Sequence, residues 1–148
     1  MSQVGRVRKL FSSDTADGPV HICGAGALAD YQALLRRWFA SADKSVDTVA
    51  QMLAHMSTDA KGPDGVELEI LMITRHGVFF LDAGGAITQP AKGIATIGSG
   101  GPFAAGYLAA AVRKGMSRAD AVRLARGCLK ETAEYAHVVK PPFDVAWI

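Results

Sequence analysis

Cysteine is scarce in this sequence of 148 residues, which contains only Cys23 and Cys128. Two thiols are too few for a disulfide framework, and their separation does not match the spacing of metal ligands. We therefore expect reduced thiols and a cytoplasmic location. The four histidines share no ligand spacing either. The sequence predicts no metal site and no cofactor.

Long hydrophobic runs and a strong charge of one sign are also missing. No stretch approaches the ~18 consecutive apolar residues of a membrane span, and the N-terminal MSQVGRVRKLFSSD has no apolar core of the kind that a signal peptide needs. The net charge is +2, from 16 Lys and Arg against 14 Asp and Glu. This is too little for a phosphate-binding surface, which needs many clustered cations. Neither a membrane nor nucleic acid is an expected partner.

What the sequence does contain is enough apolar material for one domain over residues 1–148. Hydrophobic residues make up 49% of the chain and charged residues 20%. A chain of this length buries roughly 68–70% of the surface that its unfolded form exposes, which allows a core without metals or disulfides.

The hydrophobic spacing predicts the element order ββ-αα-ββββ-αα-β. Strands are expected at residues 4–11, 20–23, 66–73, 77–81, around Ile87 and at 94–97, and a closing strand at 143–148. A polar turn at 12–19 would join the first two strands into a hairpin. A first helix would bury Leu28, Tyr31, Leu35, Trp38 and Phe39, and a second Val46, Val49, Met52, Leu53 and Met56, with Asp43 or Ser45 as its cap. Pro102 is placed for the first turn of a third helix, and Ser117 with Asp120 for the start of a fourth that buries Cys128. Helices in pairs between blocks of strands favour an α+β sandwich.

The Gly-Ser-Gly-Gly turn at residues 98–101 is the feature most suggestive of chemistry. It lacks the Lys-Ser/Thr tail of a phosphate-binding loop, the third glycine of a dinucleotide fingerprint and the spacing of a nucleophile elbow. It does offer backbone N–H groups at a helix start, beside a hydroxyl, where a carboxylate or oxyanion could bind. A tight strand-to-helix connection that only glycine fits is an equally good explanation.

The sequence of this turn, IGSGGPFA at residues 97–104, resembles the β-type proteasome family and, within it, the HslV-like peptidases. The resemblance extends to GRVRKLF at residues 5–11, AGALAD at 25–30, LMIT at 71–74 and TQP at 88–90, in the family's order. It implies a four-layer αββα sandwich of the N-terminal-nucleophile (Ntn) hydrolase type.

The resemblance also implies an activity and a set of site residues. In the family a threonine at the mature N-terminus attacks the peptide bond, with its own amine as base and a lysine nearby. Ser99 matches the serine that hydrogen-bonds around that amine, and Gly26 matches the glycine whose N–H forms the oxyanion hole. Arg6 stands where the family has its lysine, and it can supply charge but cannot handle protons, because arginine stays protonated.

The start of the chain departs from the family pattern. The family has a hairpin carrying the nucleophilic threonine and an aspartate ahead of the strand that residues 4–11 resemble, so the chain is expected to be truncated at its N-terminus. It would be a fragment of a threonine peptidase or a non-catalytic, ring-forming subunit, with an ATP-dependent unfoldase as a possible partner. A non-enzymatic assembly or binding module is one alternative. Another is an active peptidase in which Ser2 becomes the nucleophile after removal of Met1.

Overall fold

The computed structural model describes residues 9–59, 65–90 and 92–135. These residues form five strands and four helices in the order ββααβββαα. The strands are β1 (Leu10–Thr15), β2 (Gly18–Gly26), β3 (Leu68–Thr74), β4 (Gly77–Asp82) and β5 (Ile87–Thr88). The helices are α1 (Leu28–Ala40), α2 (Val46–Asp59), α3 (Gly101–Ala111) and α4 (Arg118–Tyr135).

The strands form one antiparallel sheet in which each strand pairs with the next along the chain, from β1 to β5. The predicted hairpin is confirmed, with Leu10 opposite Cys23 and Thr15 opposite Gly18. The predicted polar turn at 12–19 is too long, because residues 12–15 belong to β1. Serine and aspartate are tolerated there because β1 lies at the edge of the sheet that the described residues form, and Gly18, with φ of +102°, allows a tight connection.

Of the two further strands predicted, around Ile87 and at 94–97, the structure has the first and not the second. The short strand expected around Ile87 is confirmed as β5. The strand expected at 94–97 is wrong, since these residues have no regular structure. They lie between Gly93 and Gly98, which both have positive φ, and the Gly98 N–H bonds to a side chain of β3 instead of to a neighbouring strand. The closing strand expected at 143–148 and the first residues of the strand expected at 4–11 lie outside the described residues.

The hydrophobic core lies between α1, α2 and one face of the sheet. Its fully buried side chains come from both layers: Ile22, Ile70, Met72 and Leu81 from the strands, and Leu34, Trp38, Val49 and Leu53 from the helices. Each such side chain contributes about 1.5–3 kcal/mol by its burial. Leu28 and Phe39, predicted to face this core, are 45% and 49% exposed. They stand at the two ends of α1, where Phe39 packs edge-on against Trp38 at the margin of the core.

The connection between α1 and α2 caps both helices. The Lys44 ammonium donates to the Trp38 carbonyl oxygen at 2.8 Å, at the negative end of α1. The Ser45 hydroxyl accepts the Thr48 N–H at 3.2 Å, and the Asp43 carboxylate accepts the Ser45 N–H at 2.9 Å. Ser45 is thus the predicted N-cap of α2, with Asp43 supporting it.

Helices α3 and α4 pack against each other. Cys128 is buried between them, as predicted, and its thiol lies 3.6 Å from the Ala104 carbonyl oxygen. The Ser117 hydroxyl accepts the Asp120 N–H at 3.1 Å, which confirms the predicted start of α4. The α+β class is confirmed, and the described residues supply one sheet and two helix pairs of the expected sandwich.

Candidate functional site

A cleft of about 650 Å³ opens where β2 ends, β3 begins and the chain turns into α3. Its lining combines small residues with two carboxylates, one lysine and one hydroxyl. The lining residues are Lys9, Ala25, Gly26, Val66, Glu67, Leu68, Glu69, Ala83, Gly98 and Ser99. Gly26 and Ser99, the two described residues that the sequence singled out, therefore lie in the same cleft.

Gly26 ends β2 in a conformation that favours glycine. Its φ is +122°, and a Cβ built on it would lie 2.2 Å from the Glu67 carbonyl oxygen. That oxygen already accepts the Ala27 N–H at 2.9 Å. Only a residue without a side chain lets the two backbones approach so closely, and the backbone of Gly26 is left bare at the cleft wall.

Ser99 lies in the turn that leads into α3. The Gly98 carbonyl oxygen accepts the Gly101 N–H at 3.0 Å, and the Thr96 hydroxyl donates to the Gly101 carbonyl oxygen at 2.9 Å. The first turn of α3 follows at once, with Pro102 near its start. Ser99 is thus placed beside the positive end of a helix, where an oxygen carrying negative charge is stabilised.

One wall of the cleft continues into a smaller pocket of about 210 Å³, lined by Lys9, Gly24, Ala25, Gly26, Leu28 and Tyr31. The Tyr31 hydroxyl donates to the Lys9 carbonyl oxygen at 2.6 Å, which fixes the chain just before β1. The Tyr31 ring can lie across β2 because residue 24 is glycine, whose Cβ would stand 2.6 Å from that ring.

The charged residues that line the cleft are ones that the sequence analysis did not select. Among these residues are Lys9 and Glu69. The Glu69 carboxylate accepts the Gly98 N–H at 3.0 Å. The sequence pattern does indicate the face on which Glu69 lies, because a carboxylate between the buried Leu68 and Ile70 points to the sheet face opposite the core. Arg6 and Ser2, the other two predicted site residues, lie outside the described residues.

Two groups near the cleft, the Cys23 thiol and the Tyr31 hydroxyl, have raised pKa values. Burial raises the pKa of the Cys23 thiol to about 11, with a smaller opposing effect from a hydrogen bond to the Leu71 backbone. Burial also raises the pKa of the Tyr31 hydroxyl well above its usual range, and the neighbouring Cys23 adds to that shift. Both shifts favour the protonated, uncharged form of these two groups.

The described residues offer neither a metal site nor a helix that could span a membrane. Residues 9–59, 65–90 and 92–135 contain no group of three or more His, Cys, Asp or Glu side chains that could hold a metal ion. None of the helices that the structure describes has the length and apolar character needed to cross a bilayer.

Comparison with solved structures shows several similar folds. The chain is similar to eukaryotic HslV from Trypanosoma brucei, with 21% identity and a TM-score of 0.63, over 89% of this chain and 75% of that one. It is similar to BPH from Thiobacillus denitrificans in complex with epoxomicin, with 18% identity and a TM-score of 0.68, over 91% and 75%. It is similar to an Anbu mutant from Hyphomicrobium sp. strain MC1, with 16% identity and a TM-score of 0.76, over 93% and 67%.

At these identities the likeness shows the fold, which is the Ntn-hydrolase fold of proteasome-like proteins. No curated protein matches the chain. The family of proteasome subunits matches residues 5–148, nearly the whole sequence. The chain therefore belongs to the proteasome subunit family.

Proposed function

We propose that this chain is a proteasome-type peptidase subunit that binds an extended peptide in the cleft beside Gly26 and Ser99. The observation that carries the proposal is the meeting of these two residues, which are distant in sequence, at one cleft in a chain of this family. Hydrolysis of a peptide bond needs a donor for the oxyanion and a group that orients the attacking nucleophile. Gly26 would supply the donor and Ser99 the orienting hydroxyl.

In the proposed reaction a hydroxyl attacks the peptide carbonyl carbon and an amine takes the proton of that hydroxyl. The carbonyl oxygen becomes an oxyanion that accepts a hydrogen bond from the Gly26 N–H, and the proton passes to the leaving amine as the C–N bond breaks. Water then hydrolyses the resulting ester and restores the hydroxyl. Loss of one such donor typically costs about 10²–10³ in kcat. The Arg6 guanidinium would contribute positive charge at this site but no proton transfer.

We propose further that the 148-residue chain does not cleave peptides by itself. The first threonine of the sequence is Thr15. Its hydroxyl donates to the Gly18 carbonyl oxygen at 2.6 Å within the β1–β2 hairpin. It is therefore engaged away from the cleft, and the nucleophile has to come from another residue. Ser2 after removal of Met1 is the alternative within this sequence.

Hydrolysis of a fluorogenic peptide by the 148-residue chain tests this proposal. We expect no hydrolysis by the 148-residue chain. Activity of the 148-residue form that Ser2→Ala abolishes would establish Ser2 as the nucleophile. Activity that survives Ser2→Ala in that form would contradict the proposed mechanism.

A role in assembly is favoured by a separate observation on α3. Its sequence GPFAAGYLAAA contains no charged residue, yet only Gly101 and Ala104 are buried among its residues. Phe103 is 40% exposed and Val112, at the C-cap, 42% exposed. A helix that is apolar all round is typical of a buried position, so we propose that copies of this chain cover α3 in a ring.

An ATP-dependent unfoldase would then deliver substrate to the ring. The free thiols fit a cytoplasmic location.

Native mass spectrometry over a dilution series tests the assembly. We expect a ring that dissociates on dilution. Val112→Glu should shift the equilibrium between ring and monomer toward the monomer. Ile87→Glu, which adds the same charge at an equally exposed residue of β5, is the matched control and should leave the ring intact. A monomer at every concentration would contradict a ring.

A further inference from the structure

Glu69 interrupts an otherwise apolar strand, and its position in the sheet explains why. The flanking Leu68 and Ile70 point into the core, so the Glu69 side chain lies on the opposite face. Its cross-strand neighbours on that face are Ala25 in β2 and Asp82 in β4. This places the Glu69 carboxylate at the wall of the cleft, next to the end of β2.

The carboxylate bonds to the backbone of the turn that carries Ser99. One oxygen of Glu69 accepts the Gly98 N–H at 3.0 Å. Gly98 has φ of +90°, a conformation that glycine adopts without strain, and its amide would otherwise face the open cleft. The bond thus joins β3 to the residue immediately before Ser99.

We propose that Glu69 is a positioning residue, which holds the Gly98 amide and thereby sets where the Ser99 hydroxyl points. This rests on the proposed function for what Ser99 does. A hydrogen bond to an ionised acceptor is roughly twice as strong as a neutral one, so a carboxylate fixes the amide better than water would. Through this bond the Glu69 side chain links β3 to the turn that precedes α3.

The amide resonance of Gly98 tests the contact without any need for activity. In Glu69→Ala the Gly98 amide should exchange with solvent about tenfold faster than in the wild-type protein, as expected for the loss of a charged hydrogen bond. Glu67→Gln removes a neighbouring carboxylate of the same cleft and should leave the Gly98 resonance as in the wild type.

Binding of an acetylated, amidated trileucine peptide tests the positioning role. We expect Glu69→Ala to weaken binding about tenfold, and Glu69→Gln, which keeps an oxygen acceptor, to recover most of that loss. Equal binding by all three proteins, or a Gly98 amide that exchanges at the same rate in Glu69→Ala, would overturn the proposal. If the wild type binds no peptide while Gly98 responds as expected, the proposed function fails and the contact between Glu69 and the turn stands.

Discussion

Among single residues, Gly26 and Gly106 differ in how much space the structure leaves for an added methyl group. A Cβ on Gly26 would lie 2.2 Å from a backbone oxygen at a φ of +122°, whereas a Cβ on Gly106, inside α3, would have nothing within 4 Å. Gly26→Ala should therefore lower the free energy of unfolding by about 2–4 kcal/mol through strain and overlap. Gly106→Ala, its control, should raise it by about 0.5–1 kcal/mol, since alanine favours helix. Urea titration measures both, and similar values for the two variants would contradict the geometry at the cleft.

The two thiols are expected to be unreactive in the folded protein. Burial raises the pKa of Cys23 to about 11, and burial also raises that of Cys128. The thiolate is the reactive form. Iodoacetamide at pH 8 should leave the native mass unchanged and should modify both cysteines in urea. Rapid modification of Cys23 in the native protein would show that the strand face carrying it is open.

The same shift makes stability depend on alkaline pH. The folded protein holds the Cys23 proton more tightly than the unfolded chain, whose thiol has the ordinary pKa of 9.0. The contribution of Cys23 to stability is thus fully present below pH about 9 and is lost as pH rises toward about 11. Cys23→Ser should reduce this loss in thermal melts recorded across that range.

Among the elements, α2 depends on a cap that the sequence identifies. Ser45→Ala removes the acceptor of the Thr48 N–H and should cost about 1 kcal/mol of unfolding free energy. Ser45→Asp keeps a side-chain oxygen at the cap and is the matched control. Chemical denaturation distinguishes the two, and equal losses in both variants would show that the hydroxyl does not act as the cap.

The Asp43 carboxylate adds a pH dependence to this cap. Hydrogen bonds from the Thr48 hydroxyl and from Ser45 hold the pKa of Asp43 below its usual range. Its contribution is present above the unfolded value of 3.8 and is lost as pH falls through the lower, folded value. Asp43→Asn should flatten the acid limb of the stability curve.

The elements that the sequence predicts well are those whose residues face the core. Spacing of three and four in α1 and α2 reflects burial on one side of each helix, and the apolar run at 66–73 reflects a strand in which Ile70, Leu71 and Met72 are all buried. Residues 94–97 are apolar but form no strand, because a strand exists only where another strand pairs with it, and the sequence does not show pairing. Leu28 and Phe39 fit the helical spacing, but they lie at the two ends of α1, where their side chains are exposed.

For the whole molecule, the cleft is less predictable than the core. Ser99 was found through a glycine-rich turn, and Gly26 through a family resemblance that its positive φ fits. Lys9 and Glu69 were missed because a charged residue in a strand has the same sequence pattern whether it faces solvent or a cleft. Only the three-dimensional arrangement brings the ends of β2 and β3 to the turn before α3.

The measurement that most directly tests the central claim, that this cleft binds peptide, is amide shift mapping during titration with the acetylated trileucine peptide. We predict that the largest shifts fall on Gly26, Gly98 and Ser99, with weaker changes in the core of α1 and α2. Shifts confined to other surfaces, or no shifts at any peptide concentration, would contradict the claim that Gly26 and Ser99 form a peptide site.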